Sequence, residues 1–306
     1  MPLGDRFERG WALHAAMIAL VIFWGLAFVV IKQALVHMSW ITLTFLRFAA
    51  ADVCFGAYLL ARPEARVPIE RKDWPTLALL AFFGFTGYHL FLNLGEADPN
   101  TSAGTAALII ASAPAFIAVL AVPLLKERLR PVRAAGIALA FAGLAVMVAL
   151  ANPRSEYSFR VSTGALAILP PALFTALYAV LGKGYLRRYK PFVFVAWTLF
   201  LGTLLTVPLV LITAGEFVSD LETMGWAGLW PVLYLGVFPT FVAYGIWFRG
   251  LERMPAAAAG AYVYLSTLVA VVGGIAILGE TITGAGLLGG AMVIAGVILA
   301  QQIARR

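Results

Sequence analysis

Four ionisable side chains lie inside long apolar stretches of this sequence, and they are its first candidates for chemistry: Lys32, Arg47, Asp52 and His89. A charge in nonpolar surroundings is costly, so such residues mark ligand sites, proton carriers or paired groups. Lys32 and Arg47 stand toward the ends of their stretches. Two interpretations stay open for them: the long side chains reach out to a polar boundary, or they hold the carboxylate of a substrate.

Asp52 follows Arg47 by five residues, a rotation of roughly 140° on a helix. The two side chains therefore do not share a helix face, and Asp52 needs a partner elsewhere. We interpret it as a buried, hydrogen-bonded carboxylate that fixes helix packing, in preference to a proton-coupling group.

A polar and aromatic stripe follows one face of the third apolar stretch. At helical spacing it contains Phe85, Tyr88, His89, Asn93 and Glu96. Such a face in a nonpolar environment is expected to point at a cavity, so a cavity-lining role is preferred for His89 over a packed core position. An imidazole with an unperturbed pKa near 6.5 is also able to titrate there.

Aromatic residues deep in several stretches extend this predicted cavity. Aromatic walls with a few polar groups suit a ligand that carries an apolar or aromatic side chain and an ammonium group. The predicted binding residues are Trp24, Tyr88, His89, Asn93, Tyr178, Trp197, Tyr244 and Tyr264, with Lys32 or Arg47 near the external mouth.

The sequence contains few residues of the types that catalyse reactions. Three histidines and one cysteine, Cys54, offer no metal-ligand cluster and no nucleophile-and-base arrangement, and no nucleotide-binding loop occurs. The sequence therefore predicts no enzyme activity, no metal and no cofactor. Cys54 lies within a stretch and is interpreted as packing.

The elements that must position these residues are membrane-spanning helices. Apolar residues make up 62% of the chain and charged residues 12%, a balance unlike that of soluble domains. A spanning helix needs roughly 20 mostly apolar residues. Ten stretches meet this need, and the predicted class is an all-α polytopic membrane protein: Ala12–Ala34, Trp40–Ala61, Trp74–Gly95, Thr101–Leu125, Val132–Ala151, Thr163–Gly182, Pro191–Thr213, Trp226–Phe248, Ala256–Leu278 and Gly284–Ile303.

The basic residues alternate between the two sides of these ten spans. Of the 22 Lys and Arg residues, 18 fall on the side of the N-terminus, and the opposite loops hold only Arg154 and Arg160. By the positive-inside rule the basic side is the cytoplasm, with both termini cytoplasmic, in a bacterial inner membrane. The net charge of +7 thus reflects membrane topology, and a nucleic-acid partner is not expected.

An internal repeat relates the two halves, 1–151 and 152–306, with an offset of 153 residues. Lys126–Leu129 matches Gly279–Ile282, and Gly136 and Gly143 match Gly289 and Gly296. Five helices per half require the second copy to enter the membrane the opposite way up, and basic residues surround Glu127 but not Glu280. Inverted repeats are typical of secondary transporters that work by alternating access.

Two smaller features accompany this repeat. The fifth and tenth spans are rich in Gly and Ala, which predicts close helix packing without a chemical role. Glu127 and Glu280 lie at helix-to-helix turns, where helix capping or ion pairing is preferred over substrate contact.

The residues of both halves resemble a known family. Pro114 with Leu124-Leu125-Lys126-Glu127-Arg128-Leu129, and the copy Leu278-Gly279-Glu280-Thr281-Ile282, are similar to the EamA-type repeat of the drug/metabolite transporter superfamily. Trp24-Gly25, Gly84 and Tyr88-His89 are similar to bacterial amino-acid exporters of that superfamily. The copy has Thr267 where Pro114 stands, which leaves the bend of the ninth span open.

The resemblance implies export of aromatic or other neutral amino acids through a cavity lined by both halves. The alternatives are export of other hydrophobic drugs or metabolites, a channel, or a polytopic membrane enzyme. The expected partners are an amino-acid substrate and the lipid bilayer, and the protein is expected to be a monomer or a homodimer.

Overall fold

The described part of the chain consists mainly of α-helices. A computed structural model describes residues 3–62, 68–125, 131–150, 163–182, 185, 188–253 and 256–301, and none of these lies in a β-strand. The helices are α1 Leu3–Ala34, α2 Trp40–Ala61, α3 Trp74–Ala81, α4 Gly87–Ala97, α5 Ala103–Ile110, α6 Ala113–Leu125, α7 Pro131–Leu150, α8 Thr163–Gly182, α9 Pro191–Ile212, α10 Ala214–Thr223, α11 Gly225–Leu235, α12 Ala243–Arg253, α13 Ala256–Leu278 and α14 Gly284–Gln301.

The prediction of an all-helical membrane protein is confirmed. Within the described residues, six helical segments are long and apolar enough to cross a bilayer, and four further apolar helices are shorter. The six are Trp11–Ala34, Trp40–Ala61, Arg71–Ala97, Thr163–Gly182, Pro191–Ile212 and Gly225–Trp247. The number of ten spans stays a prediction.

The fourth predicted span is divided. Instead of one helix over Thr101–Leu125, α5 ends at Ile110 and α6 begins at Ala113. Proline has no backbone N–H to donate to the carbonyl four residues earlier, here that of Ile110, so Pro114 accounts for the break. The corresponding α13 is continuous from Ala256 to Leu278, because Thr267 there keeps its N–H.

Two π-helical segments lie in the third and eighth predicted spans. Phe82–Thr86 joins α3 to α4, and Gly236–Val242 joins α11 to α12. The starts of the two segments differ by 154 residues, close to the offset of the sequence repeat. A π-helical segment shifts the backbone hydrogen bonds by one residue and commonly lies at functional sites.

Other prolines do not interrupt their helices. Pro170 and Pro171 lie inside α8 and Pro208 lies inside α9, and both helices run on past them. These positions therefore provide no helix terminus for a ligand.

The most extensive packing between two described helices is that of α7 on α14. A Cβ atom added to Gly143 would lie 2.5 Å from the carbonyl oxygen of Gly289, and one added to Gly296 would lie 2.5 Å from that of Gly136. The predicted close packing of these helices is confirmed. Elsewhere α1 packs on α13, α4 on α8, and α2 on α9.

Polar contacts join the helix ends at one end of the molecule. Asp220 of α10 accepts hydrogen bonds from the Ser39 N–H at 2.9 Å and the Thr42 hydroxyl at 2.6 Å, at the start of α2. Glu280 accepts from the Ala103 N–H at 2.9 Å and thereby caps α5, which confirms its predicted capping role. Glu127 lies outside the described residues.

A second set of polar contacts joins other helix ends. The Arg188 guanidinium donates to Asp73 at 3.1 Å and to Glu70 at 2.8 Å, and the Tyr189 hydroxyl donates to Asp73 at 2.6 Å. Hydrogen bonds from Lys72 and Arg188 hold the pKa of the exposed Glu70 carboxyl below its ordinary value. This set ties the segment before α3 to the segment before α9.

Candidate functional site

Five aromatic rings from five different helical segments meet in the protein interior, and we call them the aromatic group: Trp24, Phe85, Tyr178, Phe194 and Tyr244. Trp24 lies 5.9 Å from Tyr244, which lies 5.7 Å from Phe85 between ring centroids. Phe85 lies 6.0 Å from Tyr178, and Tyr178 lies 5.7 Å from Phe194. The group therefore contains residues from both sequence halves.

Local backbone geometry places two of these rings. The ring of Tyr178 lies against Gly84, where an added Cβ atom would come within 2.6 Å of Tyr178 Cδ2. The indole N–H of Trp24 donates to the Pro239 carbonyl at 2.9 Å. In the π-helical segment the Ala243 N–H bonds to the Phe238 carbonyl, so the carbonyl of Pro239 accepts from Trp24 of α1.

Arg47 lies beside the aromatic group and is only 5% exposed. Its Nε donates to the Thr240 hydroxyl at 3.1 Å, again in the π-helical segment of the eighth predicted span. The side chains of Tyr88, Tyr234 and Tyr244 are close enough to interact electrostatically with the guanidinium. The interpretation in which Arg47 reaches out to a polar boundary is therefore wrong, because its charge is enclosed by protein.

Asn93 and Glu96, one helical turn apart in α4, continue the site beyond Arg47. Asn93 is fully buried, and its Nδ2 donates to the Thr44 hydroxyl at 2.9 Å. The Asn93 Oδ1 atom, both carboxylate oxygens of Glu96 and the Tyr234 hydroxyl are buried without a hydrogen-bond partner among the described residues, as is the Oδ1 atom of Asp52 in α2. Buried polar atoms are nearly always paired, so the first four atoms mark a place for a polar ligand or water.

Lys32 lies near this polar region but is engaged at the end of α4. Its ammonium donates to the carbonyl oxygens of Glu96 at 2.6 Å and Asp98 at 3.1 Å. A cation is stabilised by the partial negative charge at a helix C-terminus. Lys32 thus ties α1 to the end of α4.

Asp98 follows α4 and caps the start of α8. It accepts hydrogen bonds from the Gly164 N–H at 2.8 Å, the Asn100 N–H at 2.9 Å and the Thr163 hydroxyl at 3.0 Å. Burial alone raises the pKa of the Asp98 carboxyl, but these donors outweigh it and hold the pKa below its ordinary value. The ionised form is therefore the one that the fold stabilises.

His89 and Asp52 are both engaged by protein. The Nδ1 atom of His89 lies 3.0 Å from the Phe85 carbonyl, and its ring packs edge-on against Phe48 at 5.0 Å. His89 is 2% exposed and also contacts Tyr88. Asp52 accepts from the Thr203 hydroxyl at 2.6 Å, which links α2 to α9 as a packing contact would.

One predicted binding residue, Trp197, stands apart from this arrangement, and the side chain of another is not described. Trp197 contacts Trp74 at 5.3 Å and Phe200 at 5.7 Å, and among the described ring contacts it does not join the aromatic group. The side chain of Tyr264 lies outside the part of the chain whose side chains are described.

Glu96 and Thr240 lie at this site but are not among the predicted binding residues. Glu96 is on the predicted polar stripe, but the predicted apolar stretch ends at Gly95, whereas the helix continues to Ala97 and buries Glu96. Thr240 carries no signal in an apolar stretch, because its role depends on the shifted register around it. The sequence signal for Glu96 is its position on the polar stripe, one helical turn after Asn93.

Metal chemistry finds no support in the described residues. Among them, no group of three His, Cys, Asp or Glu side chains is arranged to hold a metal ion.

Comparison with known proteins identifies a family that this chain matches. The model of the EamA-like transporter family matches residues 11–149 and again residues 162–301. A probable terminal-alkyne amino-acid exporter from Streptantibioticus cattleyicolor is 32% identical over 94% of this chain and 92% of that protein. A probable amino-acid metabolite efflux pump from Salmonella typhimurium is 30% identical over 92% of this chain and 91% of its own.

Two further similarities cover nearly the whole chain. An uncharacterized transporter from Archaeoglobus fulgidus is 30% identical over 91% of this chain and 95% of that protein. A solved crystal structure with 21% identity superimposes with a TM-score of 0.64 over 96% of this chain and 98% of its own, which shows a shared fold.

Proposed function

The chain belongs to the EamA-like transporter family, and from this premise we propose that it exports amino acids, preferably aromatic or other neutral ones. The observation that carries the proposal is the buried Arg47 beside the aromatic group. A guanidinium binds a carboxylate with two parallel hydrogen bonds, and aromatic rings accommodate an apolar side chain. An amino acid with an aromatic side chain presents both chemical groups.

The names of relatives agree with this substrate class. Two proteins that are 32% and 30% identical to this chain are named a probable amino-acid exporter and a probable amino-acid metabolite efflux pump. Both similarities extend over more than nine-tenths of each chain.

The mechanism that we propose is alternating access between two inverted five-helix halves, 1–151 and 152–306. The two separate matches of the family model support this division, as does the reciprocal packing of Gly143 on Gly289 and of Gly296 on Gly136. In inverted repeats a site between the halves opens alternately to either side. We propose that the protein lies in the inner membrane with both termini in the cytoplasm, as a monomer or homodimer.

Transport by purified protein in liposomes tests the proposal. Labelled phenylalanine, a nucleoside and a hydrophobic cationic dye are supplied separately, with and without a pH gradient. Phenylalanine flux that saturates and that unlabelled phenylalanine inhibits is the expected result, because binding to a defined site limits the rate. Protein-free liposomes are the control.

The other outcomes identify the competing functions. Transport of the dye without transport of any amino acid contradicts the substrate class and favours export of hydrophobic drugs or metabolites. Flux that neither saturates nor shows competition indicates a channel. A chemically altered product would indicate a membrane enzyme.

A further inference from the structure

Arg47 can bind the carboxylate of a substrate, whereas the unpaired buried oxygen atoms of Asn93 and Glu96 in α4 concern the other charged group of the substrate. Resting on the function proposed above, we propose that Glu96 and Asn93 bind the ammonium group of the substrate while Arg47 binds its carboxylate. The transporter would then select zwitterions, not simply aromatic molecules.

The number and kind of the unpaired atoms fit an ammonium group. Both Glu96 oxygens and the Asn93 Oδ1 atom are acceptors, they lie one helical turn apart, and none accepts a hydrogen bond from the described residues. An ammonium group has three N–H donors and no acceptor. Three buried acceptors on one helix face therefore match its three donors.

The burial of Glu96 means that its ionised form needs a positive partner. The residue is 1% exposed, and an unpaired buried charge is strongly unfavourable. The Lys32 ammonium, the nearest basic group of α1, donates to backbone carbonyls at the end of α4 instead of to this carboxylate. No basic group among the described residues therefore bonds to the Glu96 carboxylate directly, and a substrate ammonium can take that place.

The charges around Glu96 favour a cargo without net charge. Lys32, Arg47 and Glu280 are all close enough to interact electrostatically with it. Together with Glu96 they sum to zero formal charge. A zwitterion keeps this balance, whereas a purely cationic or anionic cargo adds an uncompensated charge to a buried region.

Arg47 is able to bind the opposite end of such a cargo. Its Nε donor is used on Thr240, and its two terminal amino groups carry the remaining four N–H donors. Arg47 and Glu96 belong to different helices, α2 and α4. A zwitterion bound to both therefore bridges two helices of the first half.

Binding of three related probes to the purified wild-type protein tests this inference without relying on any variant. L-phenylalanine carries both charged groups, 2-phenylethylamine lacks the carboxylate, and 3-phenylpropionate lacks the ammonium group. We expect phenylalanine to bind at least about tenfold more tightly than either analogue, since each analogue leaves a buried charge unpaired. Equal affinity for phenylalanine and 3-phenylpropionate would overturn the inference.

A pair of substitutions locates the effect. Glu96→Gln is expected to weaken phenylalanine binding at least about tenfold while the affinity for 3-phenylpropionate changes by less than about twofold. Asp52→Asn changes another partly buried carboxylate, whose partner is Thr203, and should leave all three affinities as they are. Equal weakening of all three probes by Glu96→Gln contradicts an ammonium site.

The two proposals fail in different ways. If wild-type protein moves no amino acid into or out of liposomes, the proposed function fails and this inference fails with it. If phenylalanine is transported but the probes bind equally well, the function stands and only the ammonium site is refuted.

Discussion

At Arg47, one substitution separates the effect of the positive charge from the effect of the donor geometry of the guanidinium. Arg47→Lys keeps the positive charge but replaces the planar donor fork by a single ammonium, and it removes the Nε donor from Thr240. We expect the apparent KM for labelled phenylalanine in proteoliposomes to rise at least about tenfold. Arg71→Lys, the same change at an exposed site, is the control, and an unchanged KM in the Arg47 variant would contradict carboxylate binding.

Asp98 provides a prediction about pH. Because its pKa lies below the ordinary value, its stabilising contribution is fully present above the unfolded-state pKa of about 3.9 and is lost as the pH falls through the folded-state value. Asp98→Ala should lower the melting temperature in detergent at pH 7 by a few degrees, since a lost cap costs about 1 kcal/mol. The difference between wild type and variant should shrink below about pH 4. A difference that is the same at pH 7 and pH 3 would show that ionisation of Asp98 is unimportant.

Individual residues were predictable from the sequence where polarity stands out against an apolar background. Arg47, Asn93 and the aromatic members Trp24, Tyr178 and Tyr244 are such cases, and they lie together in the interior. Hydropathy could not indicate that Lys32 would bond to backbone carbonyls, because that contact depends on where α4 ends relative to α1. The roles of all these residues in substrate binding stay predictions.

At the scale of elements, the crossing of α7 and α14 is set by glycines whose neighbours are backbone atoms. An alanine Cβ at Gly143 would lie 2.5 Å from the Gly289 oxygen, and the repeat-equivalent Gly296 has the same relation to Gly136. We expect Gly143→Ala and Gly296→Ala each to cost about 1–3 kcal/mol, because two helix backbones must move apart. Melting temperature in detergent measures the loss.

Gly56 is the matched control for these substitutions. It also lies within a helix, α2, but an added Cβ there has no neighbour within 4 Å. Gly56→Ala should be neutral or stabilising by up to about 1 kcal/mol, because alanine favours the helix. If all three variants melt alike, close contact between α7 and α14 is not what holds these helices together.

Helix positions followed from apolar length, but irregularities inside helices did not. The break between α5 and α6 lies beside Pro114, which sequence identifies, whereas Pro170, Pro171 and Pro208 lie in unbroken helices. A proline ends a helix or is tolerated within it according to whether neighbouring segments satisfy the freed carbonyl. The π-helical segments are likewise tertiary features: Trp24 of α1 donates to the Pro239 carbonyl of one of them.

At the scale of the whole molecule, the repeat predicts that positions 153 residues apart are equivalent, and the proposed inversion would place them on opposite sides of the membrane. Two such pairs are exposed in the structure: His37 with Lys190, and Glu70 with Thr223. Polar contacts agree with this arrangement, since Arg188 near Lys190 bonds Glu70, and Asp220 near Thr223 bonds Ser39 near His37. Glu70 and Lys190 therefore lie near one another, as do His37 and Thr223, so that each of these two places contains one residue from each pair.

Cysteine labelling turns this equivalence into a test of span number, orientation and inversion together. After Cys54→Ser removes the one native thiol, single cysteines are introduced as His37→Cys, Lys190→Cys, Glu70→Cys and Thr223→Cys. A membrane-impermeant maleimide should label the variants at 37 and 223 in intact cells and those at 190 and 70 only in inverted membranes, because the positive-inside rule predicts that the basic loops are cytoplasmic. Labelling of both members of a pair from the same side would mean that the halves are parallel or that a span is miscounted, and alternating access between inverted halves would then have no structural basis.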